Sequence, residues 1–114
     1  MFFDFSINLE LILKLDEKEY TFNLLGEFNL IRIGTFNNPE LRDNEQYLNM
    51  NRIFPHIQGL YKNQTYLTLE FSNRILKIYY QGKQVSALKT GETYSQTIET
   101  YNLTKPKLII KYNP

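Results

Sequence analysis

Every odd position from Phe3 to Leu15 is apolar, and the even positions from Asp4 to Lys14 are polar except Ile12. A period of two gathers one set of side chains on one face of a strand, whereas a helix would scatter them around its circumference. Leu, Glu and Lys individually favour helix, but that preference is weak against so regular a period. Asp16-Glu17-Lys18-Glu19 supplies a polar turn, and Tyr20-Thr21-Phe22-Asn23-Leu24 alternates again. The opening therefore predicts a long β-hairpin whose odd-numbered apolar residues, from Phe5 to Leu15, face the core. A slip of one residue would turn the whole set to solvent, so the register is tightly specified.

A third strand is expected at about 30–34, ending at Gly34, which releases the chain into a turn. Residues 35–52 are polar, with Asn37-Asn38-Pro39 as a breaker. They predict a short strand near 47–50 or a helical turn at Pro39-Glu40-Leu41. A connection of this length in a small domain is often functional. Further strands are expected at about 56–61, 66–71 and 75–80. Gln81-Gly82 fits a tight hairpin turn into 83–85. Thr90-Gly91-Glu92 makes another turn, a strand follows to about Ile98, 101–106 is a loop, and 107–111 is the last strand. Short strands joined by turns predict an all-β sandwich of about ten or eleven strands. With no repeat, low-complexity segment or linker, residues 1–114 read as one domain.

The 114 residues suffice for a single core. The 42% hydrophobic content is too high for a disordered chain, and the aromatics, eight Phe and nine Tyr without Trp, lean further towards β. A net charge of +1 gives no general field for nucleic acid or an anionic membrane. Zero Cys excludes disulfides, thiolate chemistry and the usual zinc clusters. The first residues lack the basic start of a secretory signal, and no apolar run approaches the roughly 20 residues that span a bilayer. Asn63-Gln64-Thr65 and Asn102-Leu103-Thr104 match glycosylation sequons, but without a signal they read as ordinary turns. The expectation is a soluble intracellular domain, cytoplasmic or nuclear, with no nucleic-acid or membrane partner.

Four cues occur in order: Ile31-Arg32-Ile33-Gly34, the lone His56, Gln81-Gly82-Lys83, and Leu88-Lys89-Thr90-Gly91-Glu92. In that order they resemble the framework of a forkhead-associated (FHA) domain, a β-sandwich that reads phosphothreonine peptides. The resemblance covers roughly 9–111. Such domains typically carry Ile-Gly-Arg at a strand end, Ser-Arg-X-His in the next loop, a later Asn-Gly, and a Leu…Gly-Asp turn before the last strands. Here Thr35 follows Ile33-Gly34 in place of the Arg, and Ile53-Phe54-Pro55 replaces Ser-Arg-X before His56. Asn73-Arg74 lies near the Asn-Gly without a fixed register. For His56 the resemblance implies a structural role, bracing the binding loop. For the phosphate pocket it implies alteration or loss. A phosphothreonine carries about −1.5 to −2 charges and needs preorganised donors. Thr35 has no guanidinium, Phe54 and Pro55 have no side-chain donor, and each missing charge-assisted bond costs about 1.5–3 kcal/mol.

The expected function is a non-catalytic protein–protein interaction domain, FHA-like, acting as a scaffold or assembly module. The candidate ligand-binding residues are Thr35, Arg42, Tyr47, Arg52, Phe54, His56, Asn73, Arg74, Gln81 and Lys83, in the long loop and in turns expected to share one end. One alternative keeps phosphopeptide recognition through a relocated pocket of Arg42, Arg52, Arg74 and the Gln81-Gly82-Lys83 turn, with Arg32 a further candidate cation. Another is an unrelated β-sandwich that binds carbohydrate or serves as a structural assembly unit. The partner is then a protein, phosphorylated or not, with self-association open. No catalytic residue, metal site or cofactor is expected. The chain has no Gly-rich phosphate loop, nucleophile elbow or paired-carboxylate motif, and Glu40, Asp43 and Glu45 fit no calcium loop. His56 has no catalytic partner identifiable by spacing. Tyr79, Tyr80 and Tyr94 read as packing residues with exposed hydroxyls rather than as base-stacking platforms.

Overall fold

The computed structural model describes residues 6–36, 40–102 and 104–114. Phe3, Phe5, the Asn37-Asn38-Pro39 breaker and Leu103 lie outside that set. The opening alternation becomes β1 (Ser6–Leu15), which pairs with β2 (Lys18–Glu27) through ten successive partners. Ile7, Leu9, Leu11 and Leu13 are buried, as the period requires, and Leu15 is half-buried. Ile12, the exception among the even positions, is buried on the opposite face, where it lies beside Ile109 and Thr21 in the cross-strand register.

The remaining strands are β3 (Leu30–Gly34), β4 (Glu45–Asn49), β5 (Thr65–Ser72), β6 (Ile75–Tyr80), β7 (Lys83–Leu88), β8 (Thr93–Thr97) and β9 (Lys107–Tyr112). They form two sheets, β2-β1-β9-β8 and β4-β3-β5-β6-β7. The fold is an all-β sandwich, with nine strands among the described residues rather than ten or eleven. Its core lies between the sheets, where Leu9, Leu11, Leu13, Leu108 and Ile110 of the first meet Ile31, Ile33, Leu67, Leu69, Leu76 and Ile78 of the second. Among the described residues no helix is long and apolar enough to cross a membrane.

One expected strand does not form. Residues 56–61 do not alternate, their apolar residues being Ile57, Leu60 and Tyr61, and Pro55 opens a 3-10 turn, Pro55–Ile57. Its fixed φ and missing N–H suit the first position of a helical turn. A short helix, α1 (Met50–Ile53), precedes it, capped by the Asn49 side chain, which accepts from the Asn51 N–H at 2.9 Å. Gly59, at φ 90°, then reverses the chain, and the expected strand is reduced to one bridge, Tyr61 with Thr100. The expected short strand near 47–50 does form as β4, running parallel to β3, while Glu40 and Leu41 are not helical.

Topology assigns each loop to an end of the sandwich. At one end lie the close of β3, α1 with the 3-10 turn, the start of β5 and the β6–β7 turn at Gln81-Gly82. At the other lie the starts of β3 and β4 and the β5–β6 turn at Asn73-Arg74. Both two-residue turns hold φ > 0 at each central position: 52° and 62° at Asn73 and Arg74, 50° and 80° at Gln81 and Gly82. Such turns match the twist of the strands they join.

Candidate functional site

The site expected from the sequence centres on the junction after β3. Gly34 ends that strand at a register shift against β5. Thr35 is buried, and its hydroxyl is engaged within the fold: it donates its proton to the Lys62 carbonyl at 2.9 Å and accepts the Gln64 N–H at 3.0 Å. The Thr35 N–H also donates to the Gln64 carbonyl at 3.0 Å. Thr35 is therefore a brace between β3 and the segment entering β5, with no hydroxyl proton left to offer a ligand.

Tyr47 acts in the same way one strand over. Its hydroxyl accepts the Phe36 N–H at 2.7 Å, and Asn49 Nδ2 donates to the Phe36 carbonyl at 3.3 Å. Burial pushes the Tyr47 phenol up, against the Phe36 N–H, the Thr65 side chain and the Arg32 charge, which pull it down. The phenol pins the start of the long loop to β4. Phe54 is completely buried, unlike an exposed ligand-binding residue: its ring belongs to the core, and its carbonyl accepts the Tyr61 hydroxyl at 2.8 Å. His56 is exposed and stacks on Tyr20 of β2, ring centroids 3.4 Å apart at 21°. It ties the 3-10 turn to the first sheet.

The arginine cluster is also corrected. Arg52, in α1, shares an end with Gln81 and Lys83, whereas Arg42, Asn73 and Arg74 lie at the opposite end. Asn73-Arg74 and Gln81-Gly82 flank the six residues of β6, a span of roughly 20 Å at ~3.3 Å per residue. No single pocket holds Arg42, Arg52 and Arg74 together. Among the described residues no group of three acidic, His or Cys side chains is placed to hold a metal ion.

Two buried tyrosines lock the region beneath the loops. The Tyr66 hydroxyl lies between the carbonyls of Glu99 (2.9 Å) and Lys62 (3.0 Å), with one proton to offer. Burial pushes its phenol up to about 12, and burial raises that of Tyr61 as well. An unfolded chain loses these protons near pH 10, so above that pH the folded state holds more protons and stability falls as pH rises. We expect the denaturation midpoint to be insensitive to these groups below pH 9 and to drop between pH 10 and 12. Tyr66→Phe should flatten that drop, as followed by urea titration at each pH.

A groove of about 310 Å³ open to a ligand lies at this end on the outer face of the second sheet. Arg32, Thr65, Thr68, Tyr79, Gln81 and Gly82 line it. Cross-strand register sets Tyr47, Arg32, Thr68 and Tyr79 in one row over four strands. Alternation in β3 signals the outward position of Arg32, since Ile31 and Ile33 point inward. Thr68 and Tyr79 are signalled in the same way but carry no motif. Comparison with family models, with curated proteins and with solved structures finds no match.

Proposed function

We propose that this chain is a non-catalytic protein–protein interaction domain, FHA-like, whose phosphothreonine pocket has been lost, and that it serves as an intracellular scaffold or assembly module. The observation that carries the reading is the state of Thr35. At the position where the resembled family places its Arg, this chain has a hydroxyl already committed to Lys62 and Gln64. Phe54, in the segment that replaces Ser-Arg-X, is sealed in the core. The resemblance gains support from where its cues fall: Ile33-Gly34 at the end of β3, Gln81-Gly82-Lys83 at the β6–β7 turn, and Thr90-Gly91 in the turn before the last two strands. With two or three charge-assisted donors missing at about 1.5–3 kcal/mol each, phosphate contributes no selective affinity.

The test has two arms. A phosphothreonine peptide library should bind the purified domain no more tightly than its unphosphorylated counterpart. A tagged domain should co-purify a defined protein in stoichiometric amount, and the exposed-residue double variant Arg52→Ala/Gln81→Ala should reduce that capture while leaving the thermal midpoint unchanged. Phosphate-dependent binding in the low micromolar range would refute pocket loss. A domain that retains no protein partner under any extraction condition would remove the interaction reading.

A further inference from the structure

We infer that Arg32 and the groove beside it form a docking site for a carboxylate on an extended acidic segment of a partner protein. The inference rests on the interaction reading above and adds the chemistry of the partner.

Arg32 is the first reason. Its side chain is only 34% exposed, and its one ion pair among the described residues is long, 3.9 Å from Nη1 to Glu45 Oε1. That same oxygen accepts the Arg42 N–H at 3.0 Å. Among the described residues the guanidinium makes no hydrogen bond, although it carries five N–H donors in a rigid fork. A half-buried fork with its donors unused suits a planar acceptor that fills two of them at once.

The surroundings supply the rest. The Thr68 and Tyr79 hydroxyls in the same row have no partner among the described residues, and Gln81 closes the groove at the β6–β7 turn. Two register shifts flank the row, at Ile33/Gly34 and at Ile78/Tyr79. Irregularities of this kind re-aim side chains and are over-represented beside binding sites. Tyr47 and Tyr79 stand at the two ends of the row and offer ring surface on either side of the anchor.

Charge decides which anion. A phosphoryl group brings about −1.5 to −2 charges and wants more than one cationic donor. Here one guanidinium sits near Glu45, and Glu70 lies in the neighbouring cross-strand row beside Lys77. One Arg matches one carboxylate, and the lining of the groove holds no second cation for a phosphoryl group.

The experiment titrates ¹⁵N-labelled domain with an eight-residue peptide of alternating Val and Glu. Its Val/Gln counterpart and a version with one Glu replaced by phosphothreonine serve as comparisons. The Val/Glu peptide should shift the amides of Arg32, Thr68, Tyr79 and Gly82, and the Val/Gln peptide should bind at least tenfold more weakly. Arg32→Gln should weaken binding at least tenfold, Arg32→Lys less, and Arg74→Gln, at the opposite end, not at all. If Arg32→Gln loses spectral dispersion, Thr68→Val replaces it, with an expected weakening of two- to fivefold. Shifts on another face, equal binding of the Gln peptide, or indifference to both variants overturns the site. Tighter binding of the phosphopeptide in this groove overturns the carboxylate assignment. Absence of binding by every peptide also overturns the site, yet leaves the interaction reading to the co-purification arm above.

Discussion

Phe54→Ala is expected to cost about 3–5 kcal/mol of stability, the range for emptying a buried Phe site. In a domain of this size the thermal midpoint should fall by roughly 15 °C or more. The ring is wholly inaccessible, the Phe54 N–H donates to the Met50 carbonyl at 3.0 Å, and its carbonyl receives the Tyr61 hydroxyl. The side chain thus fastens α1 and the 3-10 turn onto the sandwich. Two residues away, Arg52 is exposed, and Arg52→Ala should stay within about 0.5 kcal/mol of the parent. Thermal and urea denaturation of the two variants compare the roles directly. A Phe54→Ala protein that melts with the parent would return Phe54 to the ligand-binding candidates.

The contrast between these two residues shows where sequence pattern stops informing. In β1 and the first part of β2 the period of two is long and broken only at Ile12, so burial and register could be read directly from the chain. At 56–61 there is no such period: the apolar residues are Ile57, Leu60 and Tyr61, and a run of six residues carries too few repeats to specify a strand. The opposing signal was present: Pro55 ahead of the run suits a helical start, and Gly59 interrupts it. The place of Phe54 in the segment before His56 suggests a ligand-binding residue, although Met50, Phe54, Ile57 and Tyr61 stand at helical spacing and are all buried.

The arginines fail for a different reason. Sequence proximity does not say which end of a sheet a loop occupies, but strand count does. Asn73 and Gln81 bracket one strand, so they must lie at opposite ends of it. Arg42 and Arg52 likewise bracket β4. This arithmetic was available before any coordinates, and it alone dissolves the cluster of Arg42, Arg52 and Arg74. The groove at Arg32 needed the structure. Outward positions are legible strand by strand, but the row Tyr47, Arg32, Thr68 and Tyr79 depends on the pairing of four strands, one of them parallel.

Gly34→Ala is the substitution for which sequence and structure expect opposite signs. At a site whose φ an alanine tolerates, replacing Gly normally stabilises by about 0.4–1 kcal/mol, because the unfolded chain loses freedom. Gly34 is not held at positive φ, so backbone conformation raises no objection. Space does. A Cβ built there meets the Gln64 carbonyl oxygen at 2.5 Å, the Tyr47 hydroxyl at 2.7 Å and the Thr65 Cα at 2.9 Å. Two of these atoms are backbone, and no rotamer change moves them. Relief requires β3 to separate from the start of β5, which strains the Thr35–Gln64 and Phe36–Tyr47 hydrogen bonds. Overpacking at about 1–3 kcal/mol and roughly 1 kcal/mol for each weakened bond give an expected loss of about 3–5 kcal/mol. Gly26 is the control: its Cβ would meet only the ring of Phe28, a half-buried side chain able to swing aside, so Gly26→Ala should cost far less. Tyr47→Phe in the Gly34→Ala background should restore part of the loss by removing the one obstructing atom that is not backbone. Urea unfolding of the parent, Gly34→Ala, Tyr47→Phe and the double variant reads this as a coupling energy between positions 34 and 47, with Gly26→Ala measured beside them. Simple additivity of the two losses would mean that the close approach at Gly34 is not what fixes this corner of the fold.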